Sequence, residues 1–369
     1  TSENSNNVIN QLKVKFKGQV DEQNNLKEEV NLKGNEAKVD NDIDISKSKV
    51  PLAIQKYLDK HPEIKNIFFA ACGGSLVDLY PGYYFINKES KTMHAYWLPA
   101  RELGVSPSAF LDENALVIIC SHSGNTPECV EVGELAVERG ATVIALTNRV
   151  GAKVDREDFN TIVYEWTDAT HQKDKPQGIV MRILNEIMKK QEADYAKYDV
   201  MNDGIERIDG IVRAAEKKVL NRTWLFAEKY YDEPYLYIMG SGASYSQAYG
   251  FSICSLQEMQ WMNCCYLHSG EYFHGPFECT DEKTLYILMK GTGSPRRFDD
   301  RAEEFLKKYA AKYEVIDAEE LGMNEISADV NEYLTPMLFY QMTVSYRTAL
   351  QNKRQHPLDM RRYMGVVEY

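Results

Sequence analysis

The chain has 369 residues, 55 acidic against 43 basic, for a formal net charge of −12. That balance argues against a nucleic-acid surface, and no apolar run approaches the length of a membrane span. With 44% hydrophobic residues, the composition is that of a globular protein of two ordinary domains.

The opening residues carry no signal-peptide pattern. The seven cysteines lack metal-site spacing, so the expectation is a cytoplasmic protein with reduced thiols. Residues 1–48 are rich in Asn, Lys, Glu and Asp with almost no aromatics, the composition of an arm, mobile or draped over a partner subunit. Val8, Leu12, Val14 and Phe16 give it only a weak apolar pattern. The stretch 51–58 then reads as an amphipathic helix opening the folded part.

Residues 66–72 form an apolar run that predicts a buried strand, and it leads directly into Gly73-Gly74-Ser75. The glycines permit close backbone approach, and Ser75 offers a hydroxyl where the next helix begins. A second buried strand, Ala115–Cys120, precedes Ser121-His122-Ser123-Gly124-Asn125-Thr126, a hydroxyl-rich turn. Thr126-Pro127-Glu128 reads as a helix start with a hydroxyl cap, proline at the first position and an acid in the first turn. Free N–H groups and the positive end of a helix dipole would converge there, which suits a dianion such as phosphate. A polar loop without a ligand fits this turn alone equally well; the glycine loop on the neighbouring strand favours the ligand. Thr142–Thr147 is a third strand, and 177–232 a helical bridge in which Ile179, Ile183 and Ile187 recur at helical spacing.

An offset of 169 residues carries Ala71 onto Gly240 and repeats the pattern in a second half. Strands are predicted at 235–239, 285–289 and 313–316. The fold class is therefore α/β, each half a parallel, doubly wound sheet flanked by helices. The same offset carries Ser121 to Lys290, Ser123 to Thr292 and Thr126 to Pro295, so the second half loses two of the three hydroxyls. One phosphate site is expected, in the first half. For Lys290, Arg296 and Arg297, a different anion and a solvated basic patch both stand as readings.

With GGS and SHSGNT in its first half, this doubled pattern resembles the sugar isomerase (SIS) family of phosphosugar-binding proteins. The resemblance covers about 50–369 and divides the chain into an arm at 1–48, SIS domains at 49–200 and 201–350, and a tail at 351–369. The segment 257–276 resembles the E-(15 residues)-HGP pattern shared by the isomerase half of glucosamine-6-phosphate synthase and its deglycase relatives, and 354–369 resembles the fructosamine-6-phosphate deglycases in particular. What this implies is cleavage of a phosphorylated sugar–amino acid adduct without a cofactor. Glu258 would be the base, and His274 the acid, donated across an obligate homodimer. Gly74, Ser75, Ser121, His122, Ser123 and Thr126 would hold the phosphate and sugar.

Arg361 and Arg362 are candidates to contact the amino acid carboxylate or to close the tail over the site. Arg362 stands where the aminating synthase has an imine-forming lysine, a role closed to a permanently protonated guanidinium. The arm does not read as a glutamine-hydrolysing domain either, and both departures count against the synthase. His268 and Glu271 lack a third ligand at suitable spacing, so no metal site is expected. The alternatives are a phosphosugar aldose–ketose isomerase or deaminase and, in another class, a non-catalytic phosphosugar sensor.

Overall fold

The computed structural model describes residues 63–368, so the arm, its pattern at 8–16 and the helix at 51–58 lie outside the described residues. From there the chain alternates strand and helix. The first half runs β1 (Asn66–Ala71), α1 (Gly73–Glu89), β2 (His94–Pro99), α2 (Ala100–Val105), β3 (Ala115–Cys120), α3 (Pro127–Glu138), β4 (Thr142–Thr147), β5 (Ile162–Val163) and α4 (Pro176–Gln191). After α5 (Tyr198–Tyr230), the second half runs β6 (Leu236–Gly240), α6 (Tyr245–Gly250), β7 (Cys264–His268), β8 (Leu285–Lys290), α7 (Arg296–Tyr309), β9 (Lys312–Asp317) and α8 (Asn331–Arg354).

Both sheets are parallel. Their orders are β2-β1-β3-β4-β5 and β7-β6-β8-β9, so the second repeats the first without its short edge strand β5. β1, β3 and β4 are buried along their whole lengths. Helices cover both faces of such a sheet, so its central strands read as unbroken apolar runs rather than alternating ones. The duplication is visible in the backbone at the expected offset. Gly73 and Gly242 have φ of +55° and +56°, and Gly124 and Gly293 have +68° and +74°.

The bridge expected over 177–232 is two helices, α4 and α5. The break falls at Glu192, whose carboxylate leaves the helix to accept hydrogen bonds from the Ser90 and Thr92 hydroxyls and the Lys91 and Thr92 amides. That side chain ties the end of α4 to the turn between α1 and β2.

In each sheet the strand order reverses between the first and third strands, at β1–β3 and β6–β8, and ligands of open α/β sheets bind at such a switch point. The two halves meet where α1 runs antiparallel to α6 and its continuation. Gly74 faces Cys254, Val77 faces Gly250, Tyr80 meets Tyr245 edge to face, and Tyr84 approaches Gly242. The beginning of α1 is thereby laid beside the far end of the α6 segment.

Candidate active site

At the first switch point Ala71 pairs with Cys120, so the loops that follow them are neighbours. Ser121 Oγ and Thr126 Oγ1 lie 2.8 Å apart, and Ser75 hydrogen-bonds the Cys120 thiol. The hydroxyls thus sit on the first turn of α1 and on the loop beside it. Gly124 makes the turn: at φ +68°, a Cβ there would meet Ala152 Cβ at 2.3 Å and Thr147 Oγ1 at 2.6 Å. Two expectations need correction. Thr126 does not cap α3 with its side chain, because its hydroxyl turns inward to Ser121. Nor are the loop amides all free. Gly124 N–H donates to Ser121 O at 2.9 Å, Asn125 N–H to Ser123 Oγ at 3.3 Å, and Thr126 N–H to Ser121 Oγ at 3.4 Å. The last two are long, and an incoming oxyanion would make the better acceptor.

His122 turns its ring toward Tyr164 and Trp166, with Nδ1 3.0 Å from the Tyr164 hydroxyl. Burial, and then the charge of Arg149, lower its pKa and favour neutral imidazole. Trp166 also lines a smaller cavity of about 300 Å³ with Lys175, Tyr340 and Arg347. Asp78, one turn along α1 from Ser75, escaped the sequence reading. Burial raises its carboxyl to about 7, opposed by a hydrogen bond from Gln177 at 2.8 Å and by the charge of Lys175. The interval from Ser75, three residues on a helix, was the signal that could have found it.

The second switch point is already filled. Lys290, at the position of Ser121, has Nζ 2.7 Å from both Asp300 and Glu303, while Arg296 binds Asp317 at 2.7 Å. Asp299 is buried in the crevice and accepts the Gly291 amide at 3.0 Å. These cations are neutralised within the fold, so neither an anion site nor a solvated patch describes them. The exposed Arg297 instead lies over the Phe298 ring, 5.5 Å from its centroid.

α6 continues from Phe251 to Glu258 as a wider helix with i→i+5 turns, a form that recurs at functional sites. It ends in Glu258, whose Oε1 accepts a hydrogen bond from an Arg361 guanidinium nitrogen at 2.7 Å. Around this pair opens a cavity of about 860 Å³, lined among others by Gly73, Cys254, Trp261, Arg361 and Arg362. The Arg362 guanidinium lies over the Trp261 ring, 4.3 Å from its centroid. The tail therefore forms a wall of this cavity. At Gly74, next in the chain to Gly73, an added Cβ would lie 3.9 Å from Cys254 Sγ.

His274 is not brought to Glu258 within the chain: it is exposed and absent from that cavity's lining. Its backbone is held by the hydrogen bond its amide donates to Glu271 O at 2.9 Å and by Gly275, at φ +133°. His268 Nδ1 accepts the Gly270 amide at 3.0 Å, while Glu271 is exposed. Among the described residues no group of three or more His, Cys, Asp or Glu side chains could hold a metal ion.

The SIS domain model matches residues 63–172, the half that carries the hydroxyl loops. Over 324 residues the chain is 36% identical to the fructosamine deglycase of Bacillus subtilis, covering 87% of this chain and 98% of that one. It is 25% identical over 310 residues to the fructoselysine 6-phosphate deglycase of Escherichia coli, covering 83% and 88%. A crystal structure from Bacillus subtilis, described as a phosphosugar isomerase, superposes with a TM-score of 0.83 at 34% identity, covering 88% of this chain and all of that one. The chain belongs to the SIS family, with the Bacillus subtilis fructosamine deglycase among its relatives.

Proposed function

We propose that the protein is a deglycase that splits a 6-phosphorylated sugar–amino acid adduct into hexose 6-phosphate and free amino acid. The observation that carries this reading is the shared Gly73–Ser75 turn at the start of α1. On one side Ser75 hydrogen-bonds the Cys120 thiol, just ahead of the loop that bears Ser121, Ser123 and Thr126, and on the other Gly73 lines the cavity of Glu258. A phosphate held on the first side, at the positive end of α1, extends its sugar toward the second. His122 would cover the sugar, and Gly74 would let the backbone approach it.

In the open-chain ketose form of the adduct, Glu258 takes a proton from C1 and the C–H electrons form a C1=C2 bond. His274 supplies the proton that the sugar oxygen at C2 gains. Protonation at C2 and donation from nitrogen then leave a C1 imine, which water hydrolyses to aldehyde and amine. Carboxylate and imidazole suit these transfers because each works near neutral pH when suitably placed.

The domains are assigned as 49–200 and 201–350, with 351–369 as the tail that walls the cavity. His274 is read as acting in the site of a second copy. Its exposure fits that role, as do the exposed Met360, Tyr363, Met364, Val366 and Val367 of the tail. Seven unpaired cysteines support a reducing, cytoplasmic setting.

The test supplies phosphorylated fructosyl and glucosyl amino acids to the purified protein and measures amino acid release. Glu258→Gln and His274→Ala should each lower turnover by about a hundredfold or more with thermal unfolding unchanged. Sugar isomerisation without amine release would favour the isomerase reading, and near-normal turnover in either variant would remove that residue from the mechanism.

A further inference from the structure

Glu258, the proposed base, already has a partner. It closes the C-terminal end of the α6 segment, where the helix dipole is negative and a carboxylate is poorly placed. Arg361 offsets that charge at 2.7 Å. The same arginine also donates to the Leu358 and Met360 carbonyls at 2.7 and 3.0 Å, so the tail folds around its guanidinium and aims it at the cavity. Its side chain is 21% exposed and that of Glu258 24%, so the pair borders the open cavity rather than the core. Arg361 occupies one carboxylate oxygen of the proposed base, Oε1. A substrate that brings a rival for the arginine would free it.

The amino acid half of the adduct brings one. In an adduct formed on the α-amino group, only the nitrogen and Cα stand between C1 and the carboxylate carbon. When C1 lies against Glu258, that carboxylate falls beside the guanidinium. Resting on the deglycase reading, we propose that Arg361 exchanges carboxylates. In the empty site it holds Glu258. With substrate bound it takes the amino acid carboxylate, and the freed Glu258 faces C1 with no counter-ion. The planar fork of arginine suits this transfer, since it binds either carboxylate through two N–H groups. Arg361 would thus determine specificity by coupling recognition of the amino acid to release of the base.

Two probes that differ only in the carboxylate test the exchange: phosphofructosyl-glycine and phosphofructosyl-methylamine. Wild-type protein should favour the glycine adduct in kcat/KM by about 10- to 100-fold, the size of one charge-assisted contact. Arg361→Ala should lose most of its rate on the glycine adduct yet gain several-fold on the methylamine adduct, because Glu258 is no longer held (~10-fold or less). Arg361→Lys should fall between, and Arg361→Gln repeats the test if the alanine variant unfolds early. Opposite signs on two substrates cannot come from a merely structural role, which would slow both alike. Equal use of the two adducts by wild type overturns the exchange, as does Arg361→Ala slowing both by one factor or keeping the wild-type ratio. Failure of wild type to release amine from either adduct is a different signature, and it sinks the deglycase reading and the exchange with it.

Discussion

Asp78 shows how one side chain can carry a pH dependence for the whole fold. Its carboxyl, near 3.8 when unperturbed, is raised to about 7 by burial. The sign follows from linkage: the folded state binds this proton more tightly than the unfolded state. The associated stability is complete below about pH 4 and is lost as pH rises through about 7. Asp78→Asn keeps an oxygen for the Gln177 donor and removes the ionisation. The variant should be more stable than wild type by about 1–2 kcal/mol at pH 8, after allowance for solvent reaching a half-buried side chain, and by roughly a third of that at pH 5. Thermal unfolding followed from pH 5 to 8 reads this directly. Parallel curves for the two proteins would mean that Asp78 does not titrate in that window.

At the scale of elements, the loops after β1 and β3 differ in what they demand of their glycines. Gly124 needs both its positive φ and its missing side chain, as the short distances to Ala152 and Thr147 require. Gly124→Ala should cost about 2–4 kcal/mol in denaturant unfolding. Gly74 carries neither constraint, its nearest neighbour being Cys254 Sγ at 3.9 Å. Gly74→Ala should leave stability within about 0.5 kcal/mol and act on KM instead, if the backbone there approaches substrate. A Gly124→Ala protein as stable as wild type would contradict the packing around that turn.

The same elements separate what the sequence reveals from what it hides. β1, β3, β4 and β8 were legible because burial on both faces leaves an uninterrupted apolar run, and the loops because only glycine fits a left-handed turn. β2 is exposed at both ends with one buried position, and β7 mixes buried and half-buried ones, so neither period stands out. The inward turn of Thr126 depends on Ser121 across the loop, which no local capping rule contains. The Arg361–Glu258 pair joins residues 103 apart in the chain, and only the antiparallel packing of α1 on the α6 segment and the return of the tail bring its surroundings together. Long-range electrostatic partners leave no periodic trace in sequence.

The whole molecule poses a question of number. Within one chain Glu258 lies in a cavity walled by the tail, while His274 is exposed and outside that lining. If both serve one reaction, the site must be built from two copies, and each copy of a symmetric pair lends its histidine to the other. Mixing then tests the arrangement. A Glu258→Gln chain keeps His274, and a His274→Ala chain keeps Glu258. A hybrid of the two therefore has one site with both groups and one with neither. After unfolding and refolding together, half of the dimers are hybrids with one good site, so activity should return to about a quarter of wild type. Each variant refolded alone should stay inactive. If the mixture stays as inactive as its components, His274 does not cross to a neighbour. A single-chain route must then carry it to Glu258, and that would require the 268–276 loop to leave the position it holds here.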